Sequence, residues 1–137
     1  MRYLLDTNVV CEAIRPQPDP RVLSWLTRNQ LTTGLSAISL GEIWKGIQSL
    51  PKGRRKSNYI AWYREQEEEF QERVFPIDAA VMKTWGDHCV RLKSEGVRPG
   101  AFDSLIAATA LHHNLVLVTR NDPDFPDVRL LNPWKKG

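Results

Sequence analysis

A chain of 137 residues, 42% hydrophobic and 26% charged, has the composition of a globular protein and the length of one domain, 1–137, able to bury roughly two thirds of the surface its unfolded form exposes. That excludes a disordered or fibrous chain, and no metal or disulfide is needed to hold it together. The net charge of +3 and a sequence pI near 9.0 permit a polyanionic partner without requiring one.

Nothing approaches a membrane span or signal peptide: the stretch from Leu4 to Ala13 is interrupted by Asp6, Asn8 and Glu12, with only Arg2 as a basic flank. The expectation is a cytoplasmic protein. Cys11 and Cys89 lie far apart, each in an apolar helical context, and are expected as buried thiols rather than a metal knuckle or redox pair.

The chain opens on Tyr3-Leu4-Leu5, a short apolar run suited to a strand buried on both faces of a parallel sheet, and ends it in Asp6-Thr7-Asn8. Ligands collect beyond the carboxyl ends of such strands, so Asp6 points into a crevice or, alternatively, closes an Asx turn. Val9 to Ile14 reads as a short helix, stopped by Pro16, Pro18 and Pro20, and Arg21 to Asn29 as a second with Val22, Trp25 and Leu26 on one face.

Leu31 to Ala37 is a plausible second strand, followed by a helix from Ile38 in which Ser39 and Glu42 stand at capping-box spacing. Lys52-Gly53-Arg54-Arg55-Lys56 is the most basic cluster, and it precedes a long helix from Asn58 to Arg73 with five glutamates in its second half. Such a pattern reads as a solvated face with weak ion pairs or, for Arg54, Arg55 and Lys56, as a contact to an RNA backbone.

Val74 to Ile77 is a short strand, and Asp78 caps a helix from Ala79 to Lys93 with Val81, Trp85, Cys89 and Leu92 as its core stripe. His88 has no ligand-type neighbour at metal spacing. After a loop from Ser94 to Gly100, Asp103 opens a helix that is apolar nearly all round and therefore central; an acid there serves as a cap or a site residue. Leu115 to Thr119 is the clearest strand, ending in Arg120-Asn121-Asp122-Pro123-Asp124, and Val128 to Leu131 forms a last short one. Glycine-rich phosphate loops are absent.

Asp6 and the 121–124 cluster thus sit at strand ends, and Glu42 and Asp103 near helix starts, positions that share one rim of an α/β layer arrangement. Carboxylates gathered there raise one another's pKa unless a cation neutralises them, and an all-oxygen set suits Mg²⁺ or Mn²⁺. Such ions activate water against a phosphodiester. Arg15, Lys45, Arg98 and Arg120 are candidates for steering RNA.

Leu4-Leu5-Asp6-Thr7-Asn8, Ile38-Ser39-Leu40-Gly41-Glu42, Asp103 ahead of Leu105-Ile106-Ala107-Ala108, and Val118-Thr119-Arg120-Asn121 with Asp124-Phe125 resemble the motifs of PIN-domain ribonucleases, most closely the VapC toxins and their FitB-like members. The resemblance covers essentially the whole chain. It implies an α/β/α sandwich on a parallel sheet, Mg²⁺-dependent RNA cleavage, a homodimer and a cognate antitoxin. It makes Asp6, Glu42 and Asp103 the metal-site acids, and Thr7, Asn8 and Thr119 their hydrogen-bonding support. The departure is Asn121, where many members carry an acid; Asp122 and Asp124 are the candidates to supply that charge. Two other readings stay open: a haloacid-dehalogenase-like phosphatase, which wants an Asp where Asn8 stands, and a non-catalytic PIN-like module that binds RNA or protein.

Overall fold

A computed structural model describes residues 1–135. At its centre lies β1 (Tyr3–Leu5), every residue of which is buried. It pairs in parallel with β2 (Thr33–Ser36) on one side and β4 (Val116–Val118) on the other, while β3 (Val74–Phe75) and β5 (Leu130–Leu131) complete a five-stranded sheet in the order β3-β2-β1-β4-β5. The chain builds β2 and β3 to one side and then crosses back over β1 to build β4 and β5. That reversal makes the gap above β1 and β4 the switch point at which open α/β sheets place their ligands.

Alternation along β1 sends Leu4 to one face of the sheet and Tyr3 and Leu5 to the other. Leu4 packs with Leu117, Phe125 and the inner face of α6 (Ala101–His112). Tyr3 and Leu5 pack with residues of α1 (Thr7–Glu12), α2 (Pro20–Arg28), α3 (Ala37–Gln48) and α4 (Arg54–Glu69). An outer helix, α5 (Ala79–Ser94), lies on α6, and its Trp85 Nε1 donates to Ser104 Oγ at 2.9 Å. The result is the expected α/β/α sandwich. Full burial of Leu4, Leu5, Leu35 and Leu117 contributes about 1.5–3 kcal/mol each. At Gly34 a Cβ would meet Arg73 O and the Phe75 ring, both at 2.8 Å, so the close approach of β2 to β3 requires glycine.

Several boundaries differ from the expectations. The first helix starts at Thr7, because Asp6 itself caps it, and stops at Glu12 instead of Ile14. Leu31 is 84% exposed and outside β2, since residues 30–32 turn in a 3-10 helix. The long helix begins at Arg54 and ends at Glu69, so Arg54, Arg55 and Lys56 form its first turn rather than a preceding loop. Ser39 and Glu42 make no capping box: Ser36 is the cap, its Oγ accepting from Ile38 N at 3.1 Å, and the helix has already started when Ser39 is reached. Gly100, not Asp103, occupies the cap position of α6.

On α5 the buried stripe is Val81, His88 and Leu92, while Trp85 turns its indole N–H toward Ser104 and stays half-buried. His88 Nδ1 accepts from the Arg91 guanidinium at 2.8 Å, and burial followed by Arg91 pushes its pKa down, so it sits in the core as a neutral ring. Both cysteines are half-buried, not fully buried as expected. Among the described residues, no helix is long and apolar enough to cross a membrane.

Candidate active site

The sheet ladder carries Asp6 to the switch point: Asp6 N donates to Val118 O at 2.9 Å, and Thr119 N to Leu131 O at 3.0 Å, so the residues just beyond β1 and β4 stand side by side. Asp6 is only 5% exposed. Its Oδ1 accepts from Thr7 N at 2.8 Å and its Oδ2 from Thr119 Oγ1 at 2.8 Å. The same Thr119 hydroxyl accepts from Asn121 N at 3.1 Å, which orients its proton toward Asp6.

Thr7 begins α1 and reaches across to α3, where its hydroxyl donates to Glu42 Oε1 at 2.8 Å or to Ser39 Oγ at 3.0 Å. One proton serves both acceptors. Because α3 starts at Ala37, Ser39 and Glu42 lie one turn inside the helix, and their side chains face Thr7 instead of folding back on the backbone. Asp103 lies in the first turn of α6 and Asp124 in the 3-10 turn after β4.

The electrostatics tie these acids into one crevice. Burial raises the Asp6 pKa; the Thr119 and Thr7 hydrogen bonds offset part of the rise, and the charges of Asp103 and Glu42 add to it. Asp103 is raised by burial first, then by Asp124 and Glu42. Cys11 lies at the same rim: burial, Glu42 and Asp6 together push its thiol up to about 11, which keeps it protonated. Among the described residues no three acid, imidazole or thiol groups stand close enough together to wrap an ion by themselves. The crevice is an open ring of carboxylates rather than a closed cage.

Asp122 does not join it. Its Oδ2 accepts from Lys135 Nζ at 3.3 Å and its Oδ1 from Asn132 Nδ2 at 3.4 Å, and it lines a groove on the α2 side of the sheet. Asn121 contributes its backbone N–H to Thr119, and its side chain is exposed. Asn8 Oδ1 is buried without a partner, an acceptor left over beside Asp6 and Thr7. Of the basic candidates, Arg15 pairs with Glu12 at 3.2 Å, Arg120 lies 5.3 Å over the Trp134 ring, and Lys45 and Arg98 are exposed.

Sequence reasoning missed Ser39 as a partner of Thr7, because 32 residues separate them and no local pattern marks the pair. It also passed over Glu12, 2% exposed, which accepts from Asp19 N at 2.7 Å and anchors the loop into α2. An acid in an otherwise apolar helical stretch was the available signal.

The PIN domain family model matches residues 3–131, and the chain belongs to that family. It is 38% identical to "Toxin FitB" of Neisseria gonorrhoeae, over 96% of this chain and 97% of that one. It is 33% identical to "VapC ribonuclease Y4jK" of Sinorhizobium fredii, over 96% and 97% respectively. A solved structure of FitAB bound to an IR36 DNA fragment superposes with a TM-score of 0.93 at 34% identity, covering 98% of this chain and 97% of that one. Family membership sets aside the phosphatase reading.

Proposed function

We propose that this chain is a divalent-metal-dependent endoribonuclease acting as the toxin of a toxin–antitoxin module in the cytoplasm. The observation that supports the reading is that Asp6, just beyond β1 of a PIN-domain sheet, feels the charges of Asp103 and Glu42, and Asp103 those of Asp124 and Glu42, acids from four separate segments. Buried acids that raise one another's pKa are at ease only when protonated or when facing a cation. The acids offer oxygen alone, which fits Mg²⁺ and equally Mn²⁺, ions that keep several waters and take few carboxylates from the protein.

Asp6 and Asp103 would hold the ion, with Glu42 holding it directly or through water. When bound, the metal supplies a water of lowered pKa and neutralises charge on the scissile phosphate. Thr119 and the Thr7 backbone hold the Asp6 carboxylate in one orientation, and the Thr7 hydroxyl does the same for Glu42. Asp124 completes the acidic ring where the family pattern has an acid and this chain has Asn121. Asp122, bound to Lys135, contributes to that region's shape rather than to the ion.

The partners of this reading are an RNA substrate, a cognate antitoxin and a second copy of the chain as a homodimer. Support for the antitoxin is the relative named as a toxin and the like-folded "VapBC2 from Rickettsia felis", 26% identical with a TM-score of 0.75. The open acid ring and Asn121 favour one rival, a PIN-like module that binds RNA or protein without cutting. Incubating the purified chain with total RNA, with Mg²⁺, with Mn²⁺ and with chelator, separates the two. Metal-dependent fragments support the nuclease; intact RNA in every lane together with no calorimetric Mg²⁺ or Mn²⁺ binding assigns the rival.

A further inference from the structure

A groove of about 980 Å³ runs along the flank of the sheet between α2 and the β4–β5 edge, and none of the four candidate acids lines it. Trp25, Val116 and Leu131 contribute to its floor, and Arg2, Arg21, Arg28 and Lys135 surround it. Four cations and one acid, Asp122, line it; Asp122 is bound to Lys135, and Arg21 is bound to Asp19 at 2.7 Å. The arrangement follows from helical spacing: residues 21, 24, 25 and 28 share one face of α2, which sets Arg21 and Arg28 about 10 Å apart along the helix axis. Among the described residues Arg2 and Arg28 have no ion-pair partner, and Arg2 lies 5.3 Å over the Tyr3 ring.

The groove continues past the start of α2. A second depression of about 540 Å³ shares Pro20 and Arg21 with it and is lined further by Arg15, Arg120 and Trp134 and by the acids Glu12 and Asp19, which pair with Arg15 and Arg21. Arg120 follows Thr119, the residue that holds Asp6. Among the described residues, Arg2 and Arg28 at the lower end of α2 and Arg120 just beyond β4 are the cations of the two depressions without an ion pair. A polyanion is attracted to such cations and is repelled at the acids unless a metal cation intervenes.

We propose that the α2 groove binds the flanking strand of the RNA, with Arg2 and Arg28 contacting phosphates remote from the bond that is cut. The inference rests on the ribonuclease reading and adds to it a second binding region outside the acidic site. It follows that affinity for RNA resides largely in this groove and falls with salt, while the acid crevice contributes cleavage.

The test uses the full chain carrying Asp6→Asn, so that a fluorescein-labelled, mixed-sequence single-stranded RNA of 20 nucleotides is bound without being cut. Arg2→Glu with Arg28→Glu is expected to weaken binding at least about tenfold at 150 mM salt and to flatten the salt dependence by about 0.7 for each phosphate no longer neutralised. Arg2→Gln with Arg28→Gln gives a smaller loss in the same direction and covers any misfolding of the reversal. Lys83→Glu with Lys93→Glu on α5 makes the same change in net charge and is expected to weaken binding less than about twofold.

Equal losses in the α2 and α5 variants would reduce the effect to net charge and overturn the groove. So would unchanged RNA binding, or unchanged RNA binding with lost inhibition by the antitoxin, which would give the groove to a protein. If the chain with Asp6 intact cuts no RNA but the groove variants still lose binding, the groove stands and the nuclease reading falls. If it cuts RNA while the variants bind as the parent does, the nuclease reading stands and the groove falls.

Discussion

Thr119 and Asp6 lie 113 positions apart in sequence, yet a 2.8 Å hydrogen bond from Thr119 Oγ1 to Asp6 Oδ2 joins the ends of two adjacent parallel strands. Thr119 is fully buried and Asp6 nearly so, so this is a charge-assisted bond in a region of low dielectric. It partly offsets the burial that raises the Asp6 pKa. Thr119→Val keeps the volume and removes the donor. Asp6 then ionises at higher pH, and the acid limb of the pH–activity profile moves upward, with activity at pH 7 reduced about tenfold and stability by about 1–3 kcal/mol. Thr119→Ser restores both. A pH profile of Thr119→Val superimposable on the wild type would show that the bond does not set the state of Asp6.

Asp103 behaves differently because, among the described residues, no hydrogen bond offsets its burial and the charges of Asp124 and Glu42. Its raised folded-state pKa means that the folded chain keeps this proton to higher pH than the unfolded one. Its contribution to stability is present below the ordinary carboxylate pKa and is lost as pH rises through the raised value. Asp103→Asn cannot ionise. In metal-free buffer at pH 7 it is expected to melt above the wild type by an amount of order 0.5 kcal/mol, the favourable dipole of the first turn of α6 offsetting part of the gain. Calorimetric melts of the two should converge below the ordinary carboxylate range. A wild type that is the more stable at pH 7 would contradict the repulsion.

What was legible beforehand was whatever depends on local pattern. Leu4-Leu5, Leu35 and Leu117-Val118 announce strands buried on both faces, and a run of small apolar residues from Ser104 to Ala110 announces a central helix. The resemblance to a known family added the acids in order along the chain. Hidden from local reading was everything decided by a distant partner. Ser39 stands at capping-box spacing, yet β2 runs on to Ser36, which pairs with Phe75 of β3 and so becomes the cap three residues earlier. Asp122 and Asp124 are two residues apart, yet the 3-10 turn sends one to Lys135 and leaves the other beside Asp103.

Ser36 and Ser39 provide a stability test of that distinction. Ser36→Ala removes the cap that satisfies Ile38 N–H and should cost about 1 kcal/mol, and toward 2 because the site is fully buried. Ser39→Ala removes only one of the two acceptors of the Thr7 hydroxyl, leaving the bond to Glu42, and should cost less than about 1 kcal/mol. Denaturant melts of the two variants decide it. The reverse order of stability would reinstate the capping box.

Metal dependence should also be visible without any substrate, through the melting temperature. A cation that binds the folded chain alone stabilises it in proportion to the logarithm of its concentration over its dissociation constant, about 2.7 kcal/mol at a hundredfold excess. Wild-type melting is therefore expected to rise with added Mg²⁺ or Mn²⁺ and to fall back with chelator. Asp6→Asn and Asp103→Asn should lose most of that response while remaining folded, and Asp122→Asn should keep it, because its carboxylate is engaged with Lys135 away from the crevice. A full metal response in Asp6→Asn, or its loss in Asp122→Asn, would move the ion away from the acids above β1 and toward the groove under α2.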